Sequence, residues 1–279
     1  MCSTCGCGNT DHVHIKTPDG KTITHVHLHH EHNHEHHTHH HVHDHHDHNH
    51  SHGSGHEHHH HHDLIQLEQD ILKENNLLAE RNRGYFLAKN IFCVNLVSSP
   101  GSGKTSLLER TLKDLKNKIR FYVIEGDQQT VNDAQRIQAL DVPALQINTG
   151  KACHLDSEMI HKAIMELNPE PNSILFIENV GNLVCPASFD LGENERVVIM
   201  STTEGTDKPL KYPDMFESSS VCVINKIDLL PYLDFDIEKA KEYALRINPR
   251  LKFFEVSATQ GDGMDQWYQW LENQITQQK

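Results

Sequence analysis

A glycine-rich turn between a strand and a helix constrains this chain more than any other feature. Residues 91–110 read IFCVNLVSSPGSGKTSLLER. Ile91 to Val97 make an apolar strand, and Leu107, Leu108, Leu112 and Leu115 recur at helical spacing. Between them Gly101, Ser102 and Gly103 leave the backbone uncovered, so its N–H groups can converge on phosphate oxygens at the helix N-terminus. Strand, phosphate-sized loop and helix are the context of a P-loop. Lys104 would reach the β- and γ-phosphates, the Thr105 hydroxyl would bind Mg2+, and Ser106 completes the nucleotide-binding stretch. The strict pattern opens on glycine, whereas Ser98 stands in that place.

The alternation continues downstream. Strands are predicted at RFYVIEGD, PALQIN, SILFIENVG, RVVIM, SVCVINKID and KFFEVSA, with helices near 130–140, 155–167, 236–247 and 263–276. Continuous apolar strands between helices predict an α/β fold, a mostly parallel twisted sheet flanked by helices, with ligand at the carboxyl ends of the strands. Upstream, Leu64, Leu67, Ile71 and Leu78 predict an amphipathic helix from about 64 to 80 that docks on the domain or binds a partner. The predicted organisation is a tail over 1–63, the docking helix and linker over 64–90, and a P-loop domain over 91–279, whose nucleotide the next motif specifies as GTP.

The stretch NKID, residues 225–228, ends a predicted strand and is expected to select guanine. The Asp228 carboxylate can accept from both N1–H and N2–H2 of guanine, a donor pair that adenine lacks. Asn225 and Lys226 would brace the base against the P-loop. Ser257 and Ala258, in SAT, would bring a backbone N–H to guanine O6. In ENVG, residues 178–181, Glu178 fits the carboxylate that holds Mg2+ through water, and Gly181 fits the γ-phosphate sensor. Asn182 then replaces the water-orienting glutamine of many GTPases. Hydrolysis is therefore expected to be slow unless Asp127, in EGDQQT, or a second subunit completes the catalytic and magnesium site.

The N-terminal segment has another chemistry. Residues 29–50 hold fourteen imidazoles in twenty-two positions, and 25 of the 27 histidines fall between His12 and His62. With almost no large apolar side chains, residues 1–63 cannot offset chain entropy and are expected to be disordered. Imidazole suits Zn2+, Cu2+ and Ni2+ alike, so the tract reads as a metal buffer of high capacity. A solvated linker is the plainer alternative. Cys2, Cys5 and Cys7 form C-x-x-C-x-C, where three thiolates and the terminal amine can close on Zn2+ or Ni2+. The formal charge of −14 leaves no cation excess for nucleic acid. No apolar leader or run of 18 apolar residues is present, and the cysteine count is odd, so a cytoplasmic protein with no membrane partner is expected.

Two further stretches link metal with nucleotide. KACHLDS puts Cys153 beside His154 ahead of a helix, and Cys185 follows Gly181 by four residues. The three could form a second metal site that changes geometry on hydrolysis. Cys93 and Cys222, inside strands, read as small buried hydrophobes.

The stretches NLVSSPGSGKTSLL, VIEGDQQTVNDA, TGKACHLDS, FIENVGNLVCPASFDLGE, TTEGTDKPLKYP, NKIDLLPYL and SATQGDGMDQW, with the terminal CSTCGC, resemble the HypB-type nickel-insertion GTPases of hydrogenase maturation, within the SIMIBI class. The resemblance implies a GTP-dependent homodimer with metal at the subunit interface. It also implies nickel delivery to the large-subunit precursor of nickel–iron hydrogenase, assisted by a small zinc-containing nickel chaperone. GTP or GDP, Mg2+, Ni2+ and Zn2+ are the implied cofactors. A urease-type nickel GTPase is the nearest rival, but Ala187 follows Cys185 and Pro186 where that type carries histidine. A passive nickel or zinc sink is the rival from another class.

Overall fold

The computed structural model describes residues 13–16, 22–25, 59–127, 136–137, 139–150 and 152–277. Seven strands form the body of one sheet: β3 (Ile91–Ser98), β4 (Phe121–Asp127), β5 (Ala144–Asn148), β6 (Ser173–Glu178), β7 (Glu195–Ser201), β8 (Val221–Asn225) and β9 (Lys252–Val256). They pair in parallel in the order β5-β4-β6-β3-β7-β8-β9. Each coincides with a strand predicted from its apolar run. The helices are α1 (His59–Lys89), α2 (Lys104–Leu115), α3 (Ser157–Leu167), α4 (Cys185–Ser188), α5 (Lys208–Lys211), α6 (Pro213–Glu217), α7 (Ile237–Ile247) and α8 (Met264–Gln277). Of the helix predicted near 130–140, residues 136 and 137 are helical and most of the rest lies outside the described residues.

All eight residues of β3 are buried, because helices cover both faces of the sheet. Phe92, Val94 and Leu96 pack with Leu107, Leu108 and Leu112 of α2 and with Trp267 of α8. Ile91 and Cys93 belong to the opposite layer, with Phe86 of α1 and Ile160 of α3. Burial pushes the thiols of Cys93 and Cys222 far up, which keeps them inert, as their strand positions predicted. Parallel pairing brings Ser98, Asp127, Glu178, Asn225 and Val256, the last residues of their strands, to one end of the sheet.

Two findings revise the reading of the N-terminal part. First, of residues 1–63, expected to lack structure, most lie outside the described residues, but β1 (Val13–Lys16) and β2 (Thr22–His25) pair antiparallel. The hairpin adds antiparallel to the outer edge of β5, Ile15 opposite Ile147. Its cause is local: VHIK and TITH are rich in β-branched residues and flank TPDG, a turn sequence, before the histidine tract begins. Second, α1 begins at His59 and runs to Lys89, longer than predicted, and Asn90 (φ 53°) turns the chain directly into β3 with no linker. It does dock, and of the predicted stripe Leu78 is partly buried while Leu64 and Leu67 lie outside the described side chains. Ile71 is 47% exposed, and the buried positions are Asn75, Ala79, Asn82 and Phe86. The two asparagines face backbone carbonyls: Asn75 donates to Asp190 O at 2.8 Å, and Asn82 donates to Leu191 O at 3.2 Å and to Ser157 O, at the start of α3, at 2.9 Å. A helix seated on polar loop ends needs hydrogen-bonding side chains on its buried face, a need that apolar periodicity does not register.

Candidate functional site

The loop from Ser99 to Thr105 wraps the start of α2. Gly101 and Gly103 adopt φ of 77° and 93°, the left-handed region that side chains disfavour. A Cβ on Gly103 would lie 2.4 Å from Nδ2 of Asn225, so glycine alone lets the two segments touch. Lys104 Nζ donates to Glu178 Oε1 at 2.9 Å, and Thr105 Oγ1 donates to the same oxygen at 2.5 Å. Glu178 Oε2 is buried with no hydrogen-bond partner among the described residues. These groups line a cavity of about 430 Å³ together with Ser102, Ser106, Asp127 and Gly181. Carboxylates beside a hydroxyl, one oxygen unsatisfied, are hard donors of the kind Mg2+ takes. Ser98 is buried and turns its hydroxyl onto Ser99 O at 2.9 Å, ending β3 rather than lining a phosphate turn with bare backbone.

The residues expected to read the base gather beside this cavity. Asn225 donates to Ser102 O at 3.1 Å and to Gly103 O at 3.4 Å, while its Oδ1 accepts from Lys226 N at 2.8 Å and from Ala258 N at 3.2 Å. Lys226 takes φ 63°, and its Nζ reaches Gly101 O at 2.7 Å. Ser257 Oγ donates to Asp228 Oδ1 at 2.6 Å. Asn225 is thus the hub that joins P-loop, lysine and the SAT turn. The backbone N–H of Ala258, expected to meet guanine O6, is spent on that hub.

Cys153, His154 and Cys185 come together as the spacing suggested, their ligand atoms all within 4.8 Å of one another. The Cys153 and Cys185 sulfurs are 2.9 Å apart, and Cys153 Sγ lies 3.9 Å from His154 Nδ1. Burial holds His154 down at about 4, so its imidazole is neutral near pH 7 and free to ligate. Two thiols and one imidazole suit a borderline ion such as Ni2+ or Zn2+ and leave a coordination position open. Cys2, Cys5 and Cys7 lie outside the described residues.

Several site residues were not anticipated. Glu125 and Arg136 also line the phosphate cavity, and Glu125 is the register partner of Glu178 on the neighbouring strand. The acid two residues before Asp127 was a usable signal, because alternate strand residues share a face. Phe189 stacks on His154 with ring centroids 3.9 Å apart. Arg196, 8% exposed, pairs with Glu193 and donates to Ala187 O and Phe189 O, which fixes the far end of α4. No local motif marks those two.

Among the described residues no helix is long and apolar enough to cross a membrane. Residues 92–255 match the family described as CobW/HypB/UreG, nucleotide-binding domain. The hydrogenase maturation factor HypB of Escherichia coli K12 is 59% identical over 211 residues, covering 76% of this chain and 73% of the relative. The crystal structure of HypB from Archaeoglobus fulgidus superposes with a TM-score of 0.69 at 40% identity, over 73% of this chain and 99% of that one. HypB from Helicobacter pylori, solved in complex with nickel, gives 0.68 at 36% identity, over 73% and 96%. The family match spans more than half of the chain, and with relatives this similar the chain belongs to the CobW/HypB/UreG family as a hydrogenase maturation factor of the HypB type.

Proposed function

We propose that the chain couples slow GTP hydrolysis to nickel handling, acting as a metallochaperone for the large-subunit precursor of nickel–iron hydrogenase. One observation carries this reading: Gly181, on the phosphate cavity, and Cys185, in the Cys153–His154–Cys185 cluster, lie four residues apart on one stretch of chain. The solved HypB with bound nickel supports nickel as cargo, with Zn2+ competing for the same donors.

In the mechanism, Lys104 exchanges its contact with Glu178 for the β- and γ-phosphate oxygens as GTP enters. Thr105, Glu178 and Asp127 would hold Mg2+, which would offset phosphate charge. Gly181 presents its backbone N–H to the γ-phosphate, so the turn after it rests differently with GTP and with GDP. Cys185 moves relative to Cys153 and His154, and the affinity for the ion differs between the two states. Asp228, braced by Ser257, restricts the reaction to guanine nucleotide, while Asn225 ties Lys226 and the Ala258 turn to the P-loop. A GTP-dependent homodimer and a small zinc-containing nickel chaperone are the proposed partners, and the cytoplasm the proposed compartment.

Lys104→Ala tests the reading in cells lacking the native gene. Hydrogenase maturation should be lost while the chain still accumulates nickel in its histidine tract. Maturation that persists without GTP hydrolysis would leave only a passive nickel sink.

A further inference from the structure

Asn182 follows Gly181 where many GTPases carry a glutamine that orients water. Its side chain is committed elsewhere. Nδ2 donates to Cys153 O at 3.2 Å, and Oδ1 accepts from Val184 N at 2.9 Å. One amide therefore holds the backbone of one ligand loop and shapes the turn that leads to the other ligand, Cys185.

A second asparagine backs it. Asn179 Oδ1 accepts from Leu155 N at 3.3 Å and from Val180 N at 2.9 Å. The loop carrying Cys153 and His154 is thus gripped at residues 153 and 155, both times from segment 179–182. The other side of the cluster is anchored to the sheet. Asn179 donates to Asn95 at 3.3 Å, Asn95 donates to Glu193 at 3.0 Å, and the Glu193–Arg196 pair holds the end of α4. Buried paired charges make that anchor stiff, whereas the half-buried Asn182 contact faces the turn that must move.

We infer that Asn182 is the positioning residue that transmits nucleotide state to the metal cluster: a shift of Gly181 displaces its amide, and the amide pulls on Cys153. This rests on the proposed coupling between the Gly181 turn and the cluster, and it assigns the coupling to one side chain rather than to chain continuity. It also accounts for slow hydrolysis, since an amide engaged with Cys153 O is not presented to the attacking water.

By linkage, metal must change nucleotide affinity by the same factor as nucleotide changes metal affinity. The experiment uses the full chain and measures the affinity of a fluorescent non-hydrolysable GTP analogue with and without excess Ni2+. Protection of Cys185 from alkylation by Ni2+, read by peptide mass spectrometry, reports occupancy of this cluster apart from the tail. The wild type should show a shift of about fivefold or more. Asn182→Asp keeps the acceptor for Val184 N and loses the donor to Cys153 O; Asn182→Ala loses both. Both variants should bind the analogue normally without metal and keep Cys185 protected, while the shift falls to about twofold or less, as loss of one hydrogen bond allows. A full shift in Asn182→Asp overturns the assignment. A wild type without a shift, or a shift that survives Cys185→Ser, overturns the coupled reading itself.

Discussion

Gly103→Ala should damage guanine recognition as well as phosphate binding. The new Cβ would sit 2.4 Å from Asn225 Nδ2 in a residue held at φ 93°. The left-handed backbone costs an L-residue about 1–2 kcal/mol. Displacing Asn225 forfeits its hydrogen bonds to Ser102 O and Gly103 O, together roughly 1–3 kcal/mol. The total, about 2–5 kcal/mol, is below the stability of an ordinary domain but large for a binding site. Asn225 Oδ1 also positions Lys226 N and Ala258 N, so the damage spreads to the base. Gly101→Ala is the control, because its φ is 77° yet nothing lies within 4 Å of the added Cβ. Competition binding of GTP and ATP, with thermal unfolding to confirm the fold, separates the two variants. Gly101→Ala should lose about tenfold in affinity and keep its preference for guanine, whereas Gly103→Ala should lose more and discriminate less. Equal affinity losses with unchanged base preference would refute Asn225 as the hub.

Asp228→Asn should move preference from GTP toward xanthosine triphosphate, whose O2 accepts where the guanine amino group donates, as competition binding would show. In metal-free protein, His154 is held at about 4 against an ordinary 6.5. A depressed histidine gives stability that is present above 6.5 and lost as pH falls toward 4, by at most on the order of 3 kcal/mol. Urea unfolding of wild type and His154→Gln across that window should show the slope only in the wild type. Arg196→Leu strands the buried Glu193 carboxylate and should cost about 3–5 kcal/mol, measured by the same unfolding. Deleting residues 12–62 should abolish high nickel stoichiometry, leave GTP hydrolysis intact, and impair maturation only when nickel is scarce. Light scattering should rise as well, because loss of β1 uncovers the β5 edge.

The fold was legible wherever one physical demand dominated. A strand buried on both faces must be apolar throughout, so β3, β6 and β8 announced themselves. A phosphate turn needs glycine, so Gly101 and Gly103 were readable for the conformation they take. The hairpin over 13–25 was missed because composition averaged over a histidine-rich segment hid two short β-branched runs. The buried seam of α1 is hidden for the opposite reason: apolar periodicity does not register Asn75 and Asn82, whose burial is satisfied by the carbonyls of Asp190 and Leu191.

The site divides along the same line. Lys104, Thr105, Glu178, Asp228 and the three metal donors carry chemistry in their side chains, and such chemistry limits the residue type at each position. Arg196, Glu193, Asn95 and Asn179 act by satisfying groups that only the folded chain brings within reach, from positions as far apart as 95 and 193. Nothing in the neighbouring sequence demands an amide or a guanidinium there; the demand is made by backbone carbonyls of α4 and by the loop before α3. A residue whose partner is local backbone chemistry can be read from sequence, and one whose partner is made by tertiary packing cannot. Asn182 belongs to both classes: its place after Gly181 drew attention to hydrolysis, but its contact with Cys153 directs it to the metal.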